Sequence, residues 1–264
     1  MNQWQIGKIK ITRIVEMELC GGTQFILPDA SRDACQPITW MQPHFMDAAG
    51  NLIMSIHALV VDTGQQRIIV ETCIGNDKQR PIPAWSNLQT SFLQDLASAG
   101  YPRESIDTVL CTHLHVDHVG WNTMLVENRW VPTFPNARYL LAEKEWRYWN
   151  GVDEDPLNAG LLDDSVRPVF AADLVDLIDW EHQVCEGVRL KPTPGHTPGH
   201  VSIHIESDGQ RALITGDWIH HPCQMTRTDW CSSCLLYTSP SPRDHSRYLV
   251  CRLLLEKGGG GGGG

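Results

Sequence analysis

Thr112 to Gly120 reads T-H-L-H-V-D-H-V-G. Four side chains able to bind a metal ion, His113, His115, Asp117 and His118, fall within six residues of one another. They follow Thr108 to Cys111, an apolar run that predicts a short buried strand. Imidazole nitrogen and carboxylate oxygen are ligands that a borderline-soft ion such as zinc accepts readily. On an extended or loop backbone, side chains two apart project to one side, so His113 and His115 can share an ion. Asp117 and His118, beyond a turn, can address a second one. A lone surface histidine carries no such meaning; this H-x-H-x-D-H pattern at the end of a strand does.

Working outward, two further pieces match the chemistry of the first. Pro194 to His200 reads P-G-H-T-P-G-H, in which Pro and Gly make a rigid turn that points His196 outward. Leu213 to Asp217 reads L-I-T-G-D, a buried strand ending in a carboxylate, and Asp217 stands where it could bridge two ions. The runs Ser55 to Asp62 and Arg67 to Thr72 predict a hairpin around Thr63-Gly64. Met1 to Glu16, with Ile6, Ile9, Ile11 and Ile14, reads as a strand. Ser86 to Ala99 predicts a helix with Leu88, Phe92 and Leu96 on one face and Gly100 closing it. Strands are expected at Ala137 to Ala142, Val188 to Lys191, Val201 to Glu206 and Arg211 to Thr215, with a turn at Ser207-Asp208-Gly209 and a helix from Glu143 to about Trp149. No repeat is present. Alternating strands and helices, with strands often in pairs, predict an α/β chain: a four-layer αβ/βα sandwich of two mixed β-sheets flanked by helices.

The three motifs, in this order, resemble those of the metallo-β-lactamase superfamily, and the resemblance covers nearly all of residues 1–233. It implies that His113, His115 and His196 hold a first metal, that Asp117 and His118 belong to a second, and that Asp217 bridges both. The implied cofactor is a pair of zinc ions sharing a hydroxide whose pKa is lowered toward neutrality, which attacks a carbonyl or phosphoryl centre. Asp117 is then the residue that orients the nucleophile and passes a proton to the leaving group. His200 matches a position where a structural role in holding the loop is expected.

The context T-H-L-H-V-D-H-V-G-W-N, the earlier E-T-C-I-G-N-D-K and the later G-D-W-I-H-H-P look like one branch, that of the acyl-homoserine-lactone lactonases and methyl-parathion-hydrolase-like enzymes. The function this implies is hydrolysis of a small-molecule ester or lactone. A phosphotriesterase, a thioesterase, a mono-iron sulfur dioxygenase and an inactive one-metal fragment are the alternatives. His220, three residues after Asp217, is a candidate hydrogen-bond donor to the substrate carbonyl. Trp85, Trp121, Phe45 and Met46 are candidates for an apolar acyl pocket, or else core. The superfamily also supplies a last histidine to the second metal well downstream of the bridging aspartate. His220 and His221 lie too close to Asp217 to take that role, so the second site is expected to be incomplete in this chain.

Bulk properties fit this reading. The chain is 42% hydrophobic with a formal charge of −10, which supports a real core and argues against a general nucleic-acid binder. No run of about 18 apolar residues suggests a membrane span. The N-terminal residues lack the apolar segment of a signal peptide, and a cytoplasmic location is the default expectation. The nine cysteines are scattered, and buried thiols are expected rather than disulfides. The oligomeric state is not legible.

Composition breaks near residue 233. Cys234 to Asp244, C-L-L-Y-T-S-P-S-P-R-D, back-translates to a string resembling read-through of a transposon-based sequencing-library adapter. Tyr248 to Leu255 resembles the next adapter segment, and Gly258 to Gly264 is what a poly-G read translates to. The expected division is therefore a hydrolase domain at 1–233, lacking its natural C-terminal segment, and a non-native, disordered tail at 234–264. Without that tail the chain is more acidic, since Arg243, Arg247, Arg252 and Lys257 outnumber Asp244 and Glu256.

Overall fold

The computed structural model describes residues 3–152 and 156–233; the expected foreign tail, 234–264, lies outside the described residues. The chain opens with β1 (Gln3–Ile6) and β2 (Ile9–Cys20), which pair antiparallel. The single N-terminal strand of the sequence reading is thus a hairpin. Its turn is set by Gly7, whose φ of 55° is left-handed and whose missing Cβ would stand 2.3 Å from the Ser207 carbonyl oxygen; only glycine fits there. After a loop carrying the short helix α1 (Arg32–Cys35), β3 (Ile53–Asp62) and β4 (Arg67–Val70) form the expected hairpin around Thr63-Gly64.

Helix α2 (Phe92–Ser98) is shorter than its sequence suggests. Residues 86–91 are drawn away by the loop before them: the Asn87 amide donates to the Lys78 carbonyl at 2.7 Å and the Thr90 amide to Asn76 Oδ1 at 2.8 Å. Phe92 and Leu96 still form its buried face, and Gly100, at φ 94°, ends it as expected. Next come β5 (Thr108–Leu110), the separate hairpin β6 (Thr123–Val126) and β7 (Arg129–Pro132), then β8 (Arg138–Ala142), which runs directly into α3 (Glu143–Trp149). Helix α4 (Arg167–Ala171) precedes β9 (Val175–Ile178). The chain then builds β10 (Gln183–Cys185), β11 (Val188–Pro192), β12 (Val201–Ser207) and β13 (Gln210–Ile214), followed by α5 (Cys223–Thr226).

Two sheets result. The larger has strand order β1-β2-β3-β4-β5-β8-β9, antiparallel through β4 and parallel from β4 to β9. The smaller, β10-β11-β12-β13, is antiparallel. Alternation puts Ile11, Val61, Ile68, Val70 and Leu110 of the first against Val188, Ile203, Ile205 and Ile214 of the second, one core between the sheets. The opposite face of the large sheet, with Val60, Ile69, Val109 and Tyr139, packs against Phe92, Leu96, Trp149 and Val169 of the helices. Leu213, on the outer face of β13, lies under Trp218, Ile219 and Met225. The architecture is the expected α/β sandwich of two sheets with helices, the larger sheet mixed and the smaller antiparallel. Strands β4, β5 and β8 are parallel, so their C-terminal ends open on the same edge, the usual place for a site in such sheets.

Candidate metal centre

The segment after β5 turns sharply at His118, whose amide donates to the His115 carbonyl at 3.0 Å. The β11–β12 connection brings His196 across to it. His113 Nε2 lies 3.1 Å from His115 Nδ1, and His196 Nε2 lies 3.1 Å from His113 Nε2 and 2.8 Å from His115 Nδ1. The three rings meet edge to face, at interplanar angles of 81° to 88°. Burial, with the surrounding rings, holds His113 and His196 well below the ordinary histidine range, so both are neutral.

A hydrogen bond behind the first ring fixes its tautomer. The Thr112 hydroxyl donates to Glu71 Oε1, so it accepts from His113 Nδ1 at 3.0 Å, which leaves a lone pair on His113 Nε2 facing the other two rings. Three imidazole nitrogens lie directed at one another, 2.8 to 3.1 Å apart. A cation at the point they share satisfies all three at once, so the donor set fits a nitrogen-binding divalent metal.

Beside this triad, His118 Nε2 stands 3.2 Å from Asp217 Oδ2 and 3.4 Å from Asp117 Oδ2, while its Nδ1 is 3.0 Å from Glu71 Oε2. Asp217 sits in the short turn Gly216–Trp218 after β13. Its Oδ2 is also 3.7 Å from His196 Nε2 and 3.4 Å from His220 Nε2. Asp117, Asp217 and His118 form one group with metal-ligand spacing, and His196, Asp217 and His220 another. Burial pushes the Asp117 carboxyl up, but His118 beside it draws it below the ordinary range. Asn158 Oδ1 accepts from the Val116 amide at 3.2 Å and supports the loop between His115 and Asp117.

His200 does not join the cluster. Its Nε2 accepts from the Asp217 amide at 3.0 Å and its Nδ1 lies 2.8 Å from Thr193 Oγ1; burial lowers its pKa to about 3. It braces the Asp217 turn, as the sequence suggested.

A match to the family described as the metallo-beta-lactamase superfamily covers residues 54–257. This chain belongs to the metallo-β-lactamase superfamily. Over 113 residues, 43% of the chain, it is 29% identical to an N-acyl homoserine lactonase from a Bacillus species; that segment spans 38% of the relative's length. Among solved structures of the superfamily, a probable metal-dependent hydrolase from Staphylococcus aureus superposes with a TM-score of 0.67 at 20% identity, over 89% of this chain and 81% of that one. AidC, a dizinc quorum-quenching lactonase solved with its product N-hexanoyl-L-homoserine, gives 0.62 at 19% identity over 83% and 74%. These likenesses establish the metallo-β-lactamase fold.

The structure gathers His113, His115, Asp117, His118, His196, Asp217 and His220 into one cluster. His220, for all its nearness to Asp217 in sequence, does stand at the cluster. His221 faces away: its Nε2 lies 3.0 Å from the Phe45 carbonyl and its Nδ1 accepts from the Cys223 amide at 3.1 Å. Trp121 is core, stacked on Phe92 at 5.6 Å with its indole N–H on Glu16; Met46 is buried in the small core beneath the 21–52 loop. Neither lines an acyl pocket. The described cysteines carry no disulfide, and no helix among the described residues is long and apolar enough to cross a membrane. Sequence reasoning missed Glu71 as the carboxylate behind His113 and His118. Its signal was a lone buried acid closing the apolar run R-I-I-V-E.

Proposed function

We propose that this superfamily member is a two-zinc hydrolase of small-molecule esters or lactones, of the acyl-homoserine-lactone type. The observation that carries the reading is the convergence of three histidine nitrogens beside an aspartate that also faces His118. In this reading His113, His115 and His196 would hold the first metal and Asp117 and His118 would belong to the second, with Asp217 common to both, and the second site is expected to lack the downstream histidine that the superfamily supplies. When bound, the metals supply a Lewis acid for the substrate oxygen and a water of lowered pKa.

The chain's own groups do the rest. Glu71 keeps the lone pairs of His113 and His118 aimed into the site. Asp117, ionised at neutral pH, accepts a proton from the attacking water and delivers it to the leaving oxygen. His220 donates a hydrogen bond to the substrate carbonyl oxygen from its place beside Asp217. The resemblance to N-acyl homoserine lactonases supports a lactone over other esters.

Zinc-loaded protein is to be assayed on an N-acyl homoserine lactone, an organophosphate triester and a thioester, with metal content measured in parallel. Lactone hydrolysis with bound zinc is expected. Turnover of the triester or thioester alone would move the substrate class, and one iron per chain with no hydrolysis would point to a dioxygenase.

A further inference from the structure

Glu145 lies on α3, buried, and its carboxylate meets four donors from three segments. Oε1 accepts from the Leu114 amide at 3.0 Å and the Trp149 indole at 2.7 Å; Oε2 accepts from the Thr197 hydroxyl at 2.7 Å and the Gly199 amide at 2.9 Å. Leu114 lies between His113 and His115. Thr197 follows His196. One oxygen therefore grips the first histidine loop and the other grips the second. Burial pushes this carboxyl up, while its four hydrogen bonds pull it down.

Two further contacts show how closely the two loops are drawn onto α3. A Cβ at Gly199 would stand 2.2 Å from the Glu145 backbone nitrogen, so the second loop lies against the helix at a distance only glycine allows. One turn along α3, the Trp149 ring packs edge-on against His115, with centroids 5.2 Å apart. Nothing in His113, His115 or His196 themselves fixes the gap between two loops more than 80 residues apart. The three ring nitrogens, held 2.8 to 3.1 Å apart, need the backbones behind them tied to keep that spacing.

We infer that Glu145 is a positioning residue: its two oxygens set the separation of the two histidine loops and hold the His113–His115–His196 triad in a metal-ready arrangement. The inference rests on the reading of that triad as a metal site. A carboxylate is required, because an amide would turn its NH2 toward two donors and release one loop or the other. Glu145→Gln therefore keeps the shape and breaks the clamp.

The test is zinc affinity by competition with a chromophoric chelator, on the full chain stripped of metal, beside the melting temperature of each metal-free protein. Glu145→Gln is expected to bind zinc roughly 10–100-fold more weakly. Thr197→Val, which removes one donor and keeps the fold safe, should weaken binding by a smaller factor. Asp164→Asn, a buried carboxylate elsewhere, should lower the melting temperature with no change in zinc affinity, which separates positioning from general stability. Wild-type zinc affinity in both Glu145→Gln and Thr197→Val would overturn the inference while leaving the metal reading intact. A wild-type chain that binds no zinc would overturn both.

Discussion

Two clusters of charged and titratable groups are buried in this molecule, and they are built on opposite principles. In one, Arg80 makes a two-pronged contact with Asp164, at 2.6 and 2.9 Å, and Lys78 Nζ reaches Thr123 Oγ1 at 2.8 Å and the Asp164 carbonyl at 3.2 Å, with the Trp130 ring 3.7 Å away. Donors meet acceptors and the Arg80 guanidinium meets a carboxylate, with Arg80 Nε left over, so the cluster is largely paired as it stands. In the other, ring nitrogens meet ring nitrogens: His113, His115 and His196 face one another at 2.8 to 3.1 Å, and Asp117 and Asp217 crowd His118. The first cluster stabilises the fold. The second is stable only as a receptor for something positive, which is why the first carries structure and the second carries chemistry.

The sharpest way to break the comparison is to remove one partner from the closed cluster. Asp164→Asn leaves the buried Arg80 guanidinium without its carboxylate and should cost about 3–5 kcal/mol in urea unfolding of metal-free protein. A loss near zero would mean that the cluster is not closed. In the open cluster, Asp117→Asn should reduce hydrolysis by roughly 100-fold or more while most of the bound metal remains. Equal activity would reduce Asp117 to scaffold.

The two clusters should also separate by pH. His113 and His196 are held well below 6.5, and His200 and His221 at about 3 and about 4, chiefly by burial. As pH falls below 6.5 the unfolded chain takes up protons that the folded chain refuses. Metal-free stability is therefore full above that pH and drops through the window toward pH 4, by up to about 1.4 kcal/mol per unit per histidine. Lys78, lowered by burial to about 7 from 10.5, acts in another window: its unfolded form keeps a proton that the folded form loses, so stability rises with pH between those values. Urea unfolding across pH 4–10 checks both, and a flat acid limb would contradict the neutral histidines. The smallest effect is expected from deleting residues 234–264, to which the sequence reading gives no part in either cluster: unchanged melting temperature and zinc content.

The legible parts of the site were those in which chemistry is concentrated along the chain. His113, His115, Asp117 and His118 announce themselves because four metal-binding side chains in six residues have no other common use. The hairpin at Thr63-Gly64 and the helix closed by Gly100 were legible because turn geometry selects the residue. Glu71, Thr112 and Glu145 were not, since each acts through hydrogen bonds to residues distant in sequence, and a single buried acid has no periodicity. The β6–β7 hairpin escaped for a related reason: its turn is Glu127-Asn128, both at positive φ without a glycine to mark it. The 86–91 segment had a helical pattern and lost it to tertiary hydrogen bonds with residues 76–78.

The central claim is that the open cluster is a metal receptor, and elemental analysis tests it most directly. Wild type, His113→Ala and His196→Ala are to be loaded with zinc, dialysed and measured side by side, with circular dichroism confirming that each is folded. Zinc retained by the wild type and lost from the first site in both variants is the predicted result. Unchanged zinc content in both variants, or none in the wild type, would contradict it.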